Sequence, residues 1–177
     1  MIPLDLKRMK VLLIDDEQFI RTTIRQILVQ IGIPQANVYE ADSSDIGLSE
    51  TLRTRPDIVL CDIHMPAGGG FAYLAKIRKS SLADVAATPV VMLTSDATKY
   101  AVETAKGLKV DGFLVKPVSV TAVKRALEWA LKPVEAASGE SELEGLFIEG
   151  DPADLRMISA LLKELYNVKI TKRLLNA

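Results

Sequence analysis

Five short apolar runs recur along this chain, KVLLID, NVYEA, DIVLCD, VVMLT and GFLVK, and the segments between them change to a helical period. The runs are too short for core helices and are apolar on both faces, which is the pattern of strands buried in a parallel sheet. After the first run, Ile20, Ile24, Ile27, Leu28 and Ile31 share one helical face before Gly32 and Pro34 stop it. Ile46, Leu48 and Leu52 mark a second helix, FAYLAKIRK a third, ATKYAVETAKGL a weaker fourth ending at Gly107, and Val123, Ala126, Leu127, Ala130 and Leu131 a fifth. Repeated β-α units of this kind predict an α/β domain with helices on both faces of a five-stranded parallel sheet.

Ligands of doubly wound sheets bind beyond the carboxyl ends of the strands, so the residues at those ends are the informative ones. The first run ends in Asp15 and Asp16, the third in Asp62, the fourth in Thr94, and the fifth in Lys116 followed by Pro117. The second ends without an obvious site residue. With the strand order 2-1-3-4-5, the four decorated strands are contiguous and converge on one pocket. Three carboxylates together repel and call for a cation, and an oxygen-only donor set favours Mg²⁺. A lysine and a threonine beside them suit phosphoryl oxygens, with Asp62 as the carboxylate that carries or meets the phosphoryl group.

Composition narrows the partners. The chain has 177 residues, a formal net charge of -1 and both charge signs interspersed, so it lacks the basic field that nucleic-acid binding requires. Its single cysteine, Cys61, excludes an internal disulfide framework and is expected simply to pack. No apolar window reaches the length of a membrane span or a signal peptide, and the expectation is a cytoplasmic protein with no membrane partner.

The motifs LLIDDE, CDIHMP with Gly70 beyond it, VVMLTS and GFLVKP, in this order from Lys10 to Pro133, resemble the receiver domain of two-component response regulators. The resemblance implies a flavodoxin-like fold and an aspartate that accepts a phosphoryl group from a histidine kinase or a histidine phosphotransfer protein. Carried over by residue, Asp62 is the acceptor, and Asp16, Asp62 and the backbone carbonyl of His64 bind Mg²⁺, with Asp15 acting mainly through a water. Thr94 binds a phosphoryl oxygen, Lys116 pairs with the phosphate, the bond before Pro117 is cis, and Phe113 is the aromatic switch that moves with Thr94. Such a domain is a phosphorylation-dependent switch rather than an enzyme, although it takes part in its own phosphotransfer and autodephosphorylation, and it acts on a downstream protein target.

Plainer readings stand beside these. Asp15 and Asp16 also suit N-terminal caps of the first helix, Thr94 a cap of the helix near Ala97, Phe113 a core aromatic, and Lys116 a solvated strand end. Gly68 to Gly70 lack the spacing of a P-loop and read as a flexible turn. His64, the one histidine, either contacts the phosphoryl group or faces water. At the level of function, the main alternative is an interaction scaffold that works without phosphorylation. A phosphohydrolase of the haloacid-dehalogenase kind would need a second aspartate two residues after Asp62, where His64 stands.

Residues 1–133 thus read as the receiver, 134–145 as an acidic linker, and 146–177 as a C-terminal extension. In the extension, LFIEGDPADLRMISALLKELYNVKIT is a strand-helix-strand pattern, with Asp151 and Pro152 starting a helix whose stripe is Leu155, Ile158, Leu162 and Leu165. It resembles the opening of a degenerate second receiver, and equally an ordinary amphipathic extension. A stripe of this kind needs a cover, either on the receiver or in a homodimer, the latter being favoured because helices already cover the receiver's sheet.

Overall fold

The computed structural model describes residues 5–95, 110–130 and 147–149. The elements are β1 (Val11–Ile14), α1 (Gln18–Ile31), a 3-10 turn (Gln35–Asn37), β2 (Val38–Ala41), α2 (Ser44–Thr54), β3 (Ile58–Asp62), α3 (Gly69–Arg78), α4 (Ala83–Ala86), β4 (Val90–Thr94), β5 (Gly112–Val115), α5 (Val120–Ala130) and β6 (Phe147–Glu149). All strands pair in parallel, and the first five take the flavodoxin-like order β2-β1-β3-β4-β5. The helix expected over ATKYAVETAKGL, the 134–145 linker and the Leu155 to Leu165 stripe lie outside the described residues.

Strand alternation divides the core into two layers. Leu13, Leu60, Leu93 and Leu114 face one side, against Ile24 and Leu28 of α1 and Val123 and Leu127 of α5. Their neighbours Ile14, Cys61, Met92 and Phe113 face the other, against Tyr73, Leu74 and Ile77 of α3 and Val85 of α4. Cys61 is fully buried, and that burial raises its thiol pKa well above the ordinary range, so it packs as a small apolar side chain. α1 ends as predicted at Gly32, whose φ of 119° lets its N–H reach back to the carbonyls of Leu28 and Val29.

The second helix packs differently from its apolar pattern. Ile46 and Leu52 are exposed, and the buried face is Ser44, Gly47, Thr51 and Thr54. The reason is proximity: a Cβ on Gly47 would come within 2.5 Å of Ile14 Cδ1, so the helix lies too close to β1 for larger side chains. Small hydroxyl residues suit this face because Thr51 Oγ1 donates to the Gly47 carbonyl at 2.8 Å and meets Tyr73 Oη at 2.7 Å, which leaves neither buried oxygen unpaired.

A second departure concerns the glycine triplet, which is a close-packed turn rather than a loose one. Gly68 and Gly69 have φ of 92° and 62°, the Gly70 N–H donates to the Ile63 carbonyl, and buried Ser44 Oγ donates to the Gly69 carbonyl at 2.7 Å. A Cβ on Gly70 would stand 2.3 Å from the Asp62 carbonyl oxygen, a backbone atom that cannot step aside. The turn is therefore pressed against the end of β3.

At the opposite end of the sheet, Arg78 donates to the carbonyls of Ala86 and Thr88 and to Asp111 Oδ2 at 2.9 Å, while the same oxygen accepts the Val90 N–H at 2.7 Å. This ties α3 and α4 to the starts of β4 and β5. Beyond the five expected strands, β6 adds to the β5 edge, with Phe113 opposite Ile148. Helices cover the faces of the sheet but not its edges, and an open edge of unpaired N–H and C=O groups takes another strand. The strand expected at the start of the extension thus joins the receiver's own sheet. Among the described residues, no helix is long and apolar enough to cross a membrane.

The turn against β3 gives a direct test. Gly70→Ala is expected to lower unfolding stability by about 1–3 kcal/mol through overpacking, measured by urea titration. Ile46→Ala, on the exposed side of α2, should change stability by no more than about 0.5 kcal/mol.

Candidate functional site

Three of the four decorated strands, β1, β3 and β5, deliver their terminal polar residues to the same layer by parity. Asp15 follows Leu13 by two, Asp62 follows Leu60 by two, and Lys116 follows Leu114 by two, all on the side that α1 and α5 cover. Asp15 and Asp62 are buried, at 1% and 3% exposure, and Asp16 is exposed. One carboxylate oxygen from each of the three lies within 4.8 Å of the others. Lys116 Nζ stands between the two buried ones, 2.9 Å from Asp15 Oδ2 and 3.1 Å from Asp62 Oδ1.

Electrostatics follow from this placement. Burial raises the Asp62 pKa, the Lys116 charge opposes that rise, and the neighbouring Asp15 carboxylate adds to it. Burial works against the charge on Lys116, but the Asp15 and Asp62 carboxylates outweigh it and raise the lysine's pKa. One ammonium therefore offsets only one of the two buried carboxylates, and the Asp16 carboxylate adds to the excess, so the cluster is acidic. A hard divalent cation fits this set, which is all oxygen and includes no cysteine or histidine.

The geometry excludes some of the plainer readings. α1 starts at Gln18 with Glu17 at its N-cap position, and no side chain caps it. Asp15 Oδ1 instead accepts the Glu17 N–H at 2.8 Å, an Asx turn that orders the entry to the helix. Lys116 is not a solvated strand end, because its side chain is 16% exposed and paired twice. The Lys116–Pro117 peptide bond is cis. Thr94 is fully buried at the end of β4, and Phe113 is 1% exposed within the core, in register with Met92. By parity these two share the layer opposite to Lys116, with Thr94 opposite Val115 and its backbone carbonyl accepting the Lys116 N–H. His64 is exposed two residues after Asp62.

Two residues at the site carry no motif. Arg21 is buried on α1 and donates to the Asp15 backbone carbonyl at 2.6 Å, and Glu40 on β2 accepts from Arg21 Nε at 3.3 Å. The signal for Arg21 is a charge set into an apolar stripe, three residues before Ile24 and seven before Leu28. The signal for Glu40 is a carboxylate within the short strand VYEA. β2, which ends without a strand-end site residue, is thus linked to the Asp15 backbone through Glu40 and Arg21.

Comparison with known proteins identifies the family. Residues 11–128 match the family model described as the response regulator receiver domain. The chain is 30% identical over 122 residues to chemotaxis protein CheY-3 of Vibrio cholerae, covering 69% of this chain and 91% of that protein. It is 26% identical over 183 residues to the KDP operon transcriptional regulatory protein KdpE of Escherichia coli, covering 94% of this chain and 78% of that one. Among solved structures, chemotaxis protein CheY4 of Vibrio cholerae superposes with a TM-score of 0.62 at 28% identity, covering 70% of this chain and 98% of that chain.

The lysine between two carboxylates yields a double-mutant test in metal-free buffer. Lys116→Met is expected to lower stability at neutral pH by about 1–3 kcal/mol, because it leaves two buried carboxylates facing each other. In an Asp62→Asn background, the same substitution should cost clearly less. Equal costs in the two backgrounds, measured by chemical denaturation, would show that Lys116 and Asp62 are not coupled.

Proposed function

This chain belongs to the response regulator receiver domain family, and we propose that it is a phosphoacceptor of a two-component phosphorelay, modified on Asp62. The observation that carries the reading is the Asp62 carboxylate itself, 3% exposed at the end of β3, 3.1 Å from Lys116 Nζ and clustered with Asp15 and Asp16. A buried carboxylate in an acidic cluster is costly unless the site is built to meet a cation and a transferred group. The donor is a phosphohistidine on a histidine kinase or a histidine phosphotransfer protein.

In this proposal an Asp62 carboxylate oxygen attacks phosphorus, the O–P bond forms, and the P–N bond to the donor imidazole breaks with its electron pair going to nitrogen. Asp16, Asp62 and the His64 backbone carbonyl would hold Mg²⁺, with Asp15 acting through water. When bound, the ion offsets the negative charge of the three carboxylates and the phosphoryl oxygens. Lys116 pairs with a phosphoryl oxygen and keeps its contact with Asp15, and the Thr94 hydroxyl donates to another oxygen. Thr94 and Phe113 share one layer on adjacent strands, so movement of Thr94 toward the phosphoryl group changes the packing around the Phe113 ring. That shift would alter a surface read by a downstream protein target. A receiver fed by a kinase in this way would act in the cytoplasm.

Acetyl phosphate with Mg²⁺ is expected to add one phosphoryl group by intact mass, and Asp62→Asn should abolish the addition while keeping the fold. Asp16→Ala should weaken Mg²⁺ binding by roughly tenfold or more and slow labelling. Equal labelling of parent and Asp62→Asn would remove Asp62 as the acceptor. A parent chain that binds its partner yet is never labelled would instead be a phosphorylation-independent interaction scaffold.

A further inference from the structure

Arg21 lies on the buried face of α1, where a charge is costly unless its donors are used. Its guanidinium is engaged on three sides. One terminal nitrogen donates to the Asp15 backbone carbonyl at 2.6 Å, Nε donates to Glu40 Oε2 at 3.3 Å, and the other terminal nitrogen donates to Gln18 Oε1. Glu40 stands on β2 opposite Leu13, and its second oxygen lies 2.6 Å from Arg25 Nε, so the carboxylate is held between two arginines. The guanidinium fork thus spans β2, the end of β1 and the first turn of α1.

We propose that Arg21, anchored by Glu40, is a positioning residue for the cation site, fixing the peptide plane that joins Asp15 to Asp16. The carbonyl oxygen of Asp15 and the N–H of Asp16 belong to one rigid plane. A buried guanidinium holding that oxygen leaves little freedom to ψ of Asp15 and φ of Asp16. The Asp15 side chain is separately held by the Glu17 N–H at 2.8 Å and by Lys116 at 2.9 Å. Asp16 is exposed, so its direction depends on the backbone that carries it. A carboxylate aimed before the cation arrives loses less freedom on binding, and residues that orient ligands in this way typically change metal affinity by about 10–100-fold when removed.

Lysine is not an equivalent replacement. Its ammonium can reach one or two acceptors as a point charge but lacks the planar fork that meets Asp15, Glu40 and Gln18 together. Glu40→Gln keeps an acceptor for Arg21 but removes the charge that holds the guanidinium in place.

The inference rests on reading the acidic cluster as a Mg²⁺ site, and two measurements separate the one from the other. The first is a Mg²⁺ titration of the full chain followed by the amide signals of Asp16 and Glu17. The dissociation constant is expected to rise about tenfold in Arg21→Ala, and by smaller factors in Arg21→Lys and Glu40→Gln. The second is hydrogen exchange in metal-free protein, where protection of the Glu17 amide relative to that of Leu60 should fall in the same order. A purely structural role would lower stability without changing either the dissociation constant of the folded protein or this relative protection. If Arg21→Ala does not fold, Arg21→Lys and Glu40→Gln carry the test. Parent-like values in the folded variants would overturn the role of Arg21. A parent chain that binds no Mg²⁺ at these aspartates would overturn the reading of the cluster, and the exchange measurement would still decide whether Arg21 orders the turn.

Discussion

Two carboxylates buried side by side at the ends of β1 and β3 repel, and the ammonium of Lys116 from the end of β5 stands between them. Much of the design of this domain is arranged around that contact. It joins residues 101 positions apart in sequence, so it exists only when the sheet is complete and in register. The register that stacks Leu13, Leu60 and Leu114 in one apolar layer also brings Asp15, Asp62 and Lys116 to the same side two residues later. Packing and electrostatics are therefore set by one alternation, and a slip of one residue in any of these strands would lose both.

Around the charged cluster, the backbone is held unusually closely. Gly70 lies against the Asp62 carbonyl, Ser44 reaches from α2 to the Gly69 carbonyl, and Arg21 reaches from α1 to the Asp15 carbonyl. Each contact grips the main chain of a site residue or of the turn beside it and leaves the site carboxylates available to other partners. The helices serve as more than cover for the sheet. α2 forgoes apolar burial at Ile46 and Leu52 so that Gly47 can sit on Ile14, and this close approach places Ser44 within reach of the glycine turn.

Charge is distributed with the same economy. The two ends of the sheet each contain an Asp-centred ion pair, Asp111 with Arg78 at the starts of β4 and β5 and Asp62 with Lys116 at the ends of β3 and β5. At the first, the carboxylate accepts from the Val90 N–H and from a guanidinium that also serves two carbonyls. The second leaves an excess of negative charge, because the one ammonium of Lys116 faces the carboxylates of Asp15 and Asp62, with that of Asp16 beside them. The two ends of the sheet thus differ in charge, one carrying a matched Asp–Arg pair and the other an acidic cluster.

How much of this was legible in the sequence follows from what is local. Strand and helix periods depend on neighbouring residues, so the five strands, the end of α1 at Gly32, and the polar residues at the strand ends could be read directly, and with the parallel order they placed Asp15, Asp16, Asp62, Thr94 and Lys116 at one edge. Three features could not be read that way, because each depends on distances between segments far apart in the chain. The glycine triplet looked like a loose turn until Gly70 met the Asp62 carbonyl, and α2 appeared to have an apolar face until Gly47 met Ile14. The extension's first strand could be placed on the receiver or on a second chain until the open edge of β5 was seen to take it. Arg21 and Glu40 belong to the same class: a charge in an apolar stripe signals that some partner exists, but only the tertiary structure decides that the partner is the backbone of the site, because a hydrogen bond is fixed by position in space and not by position along the chain.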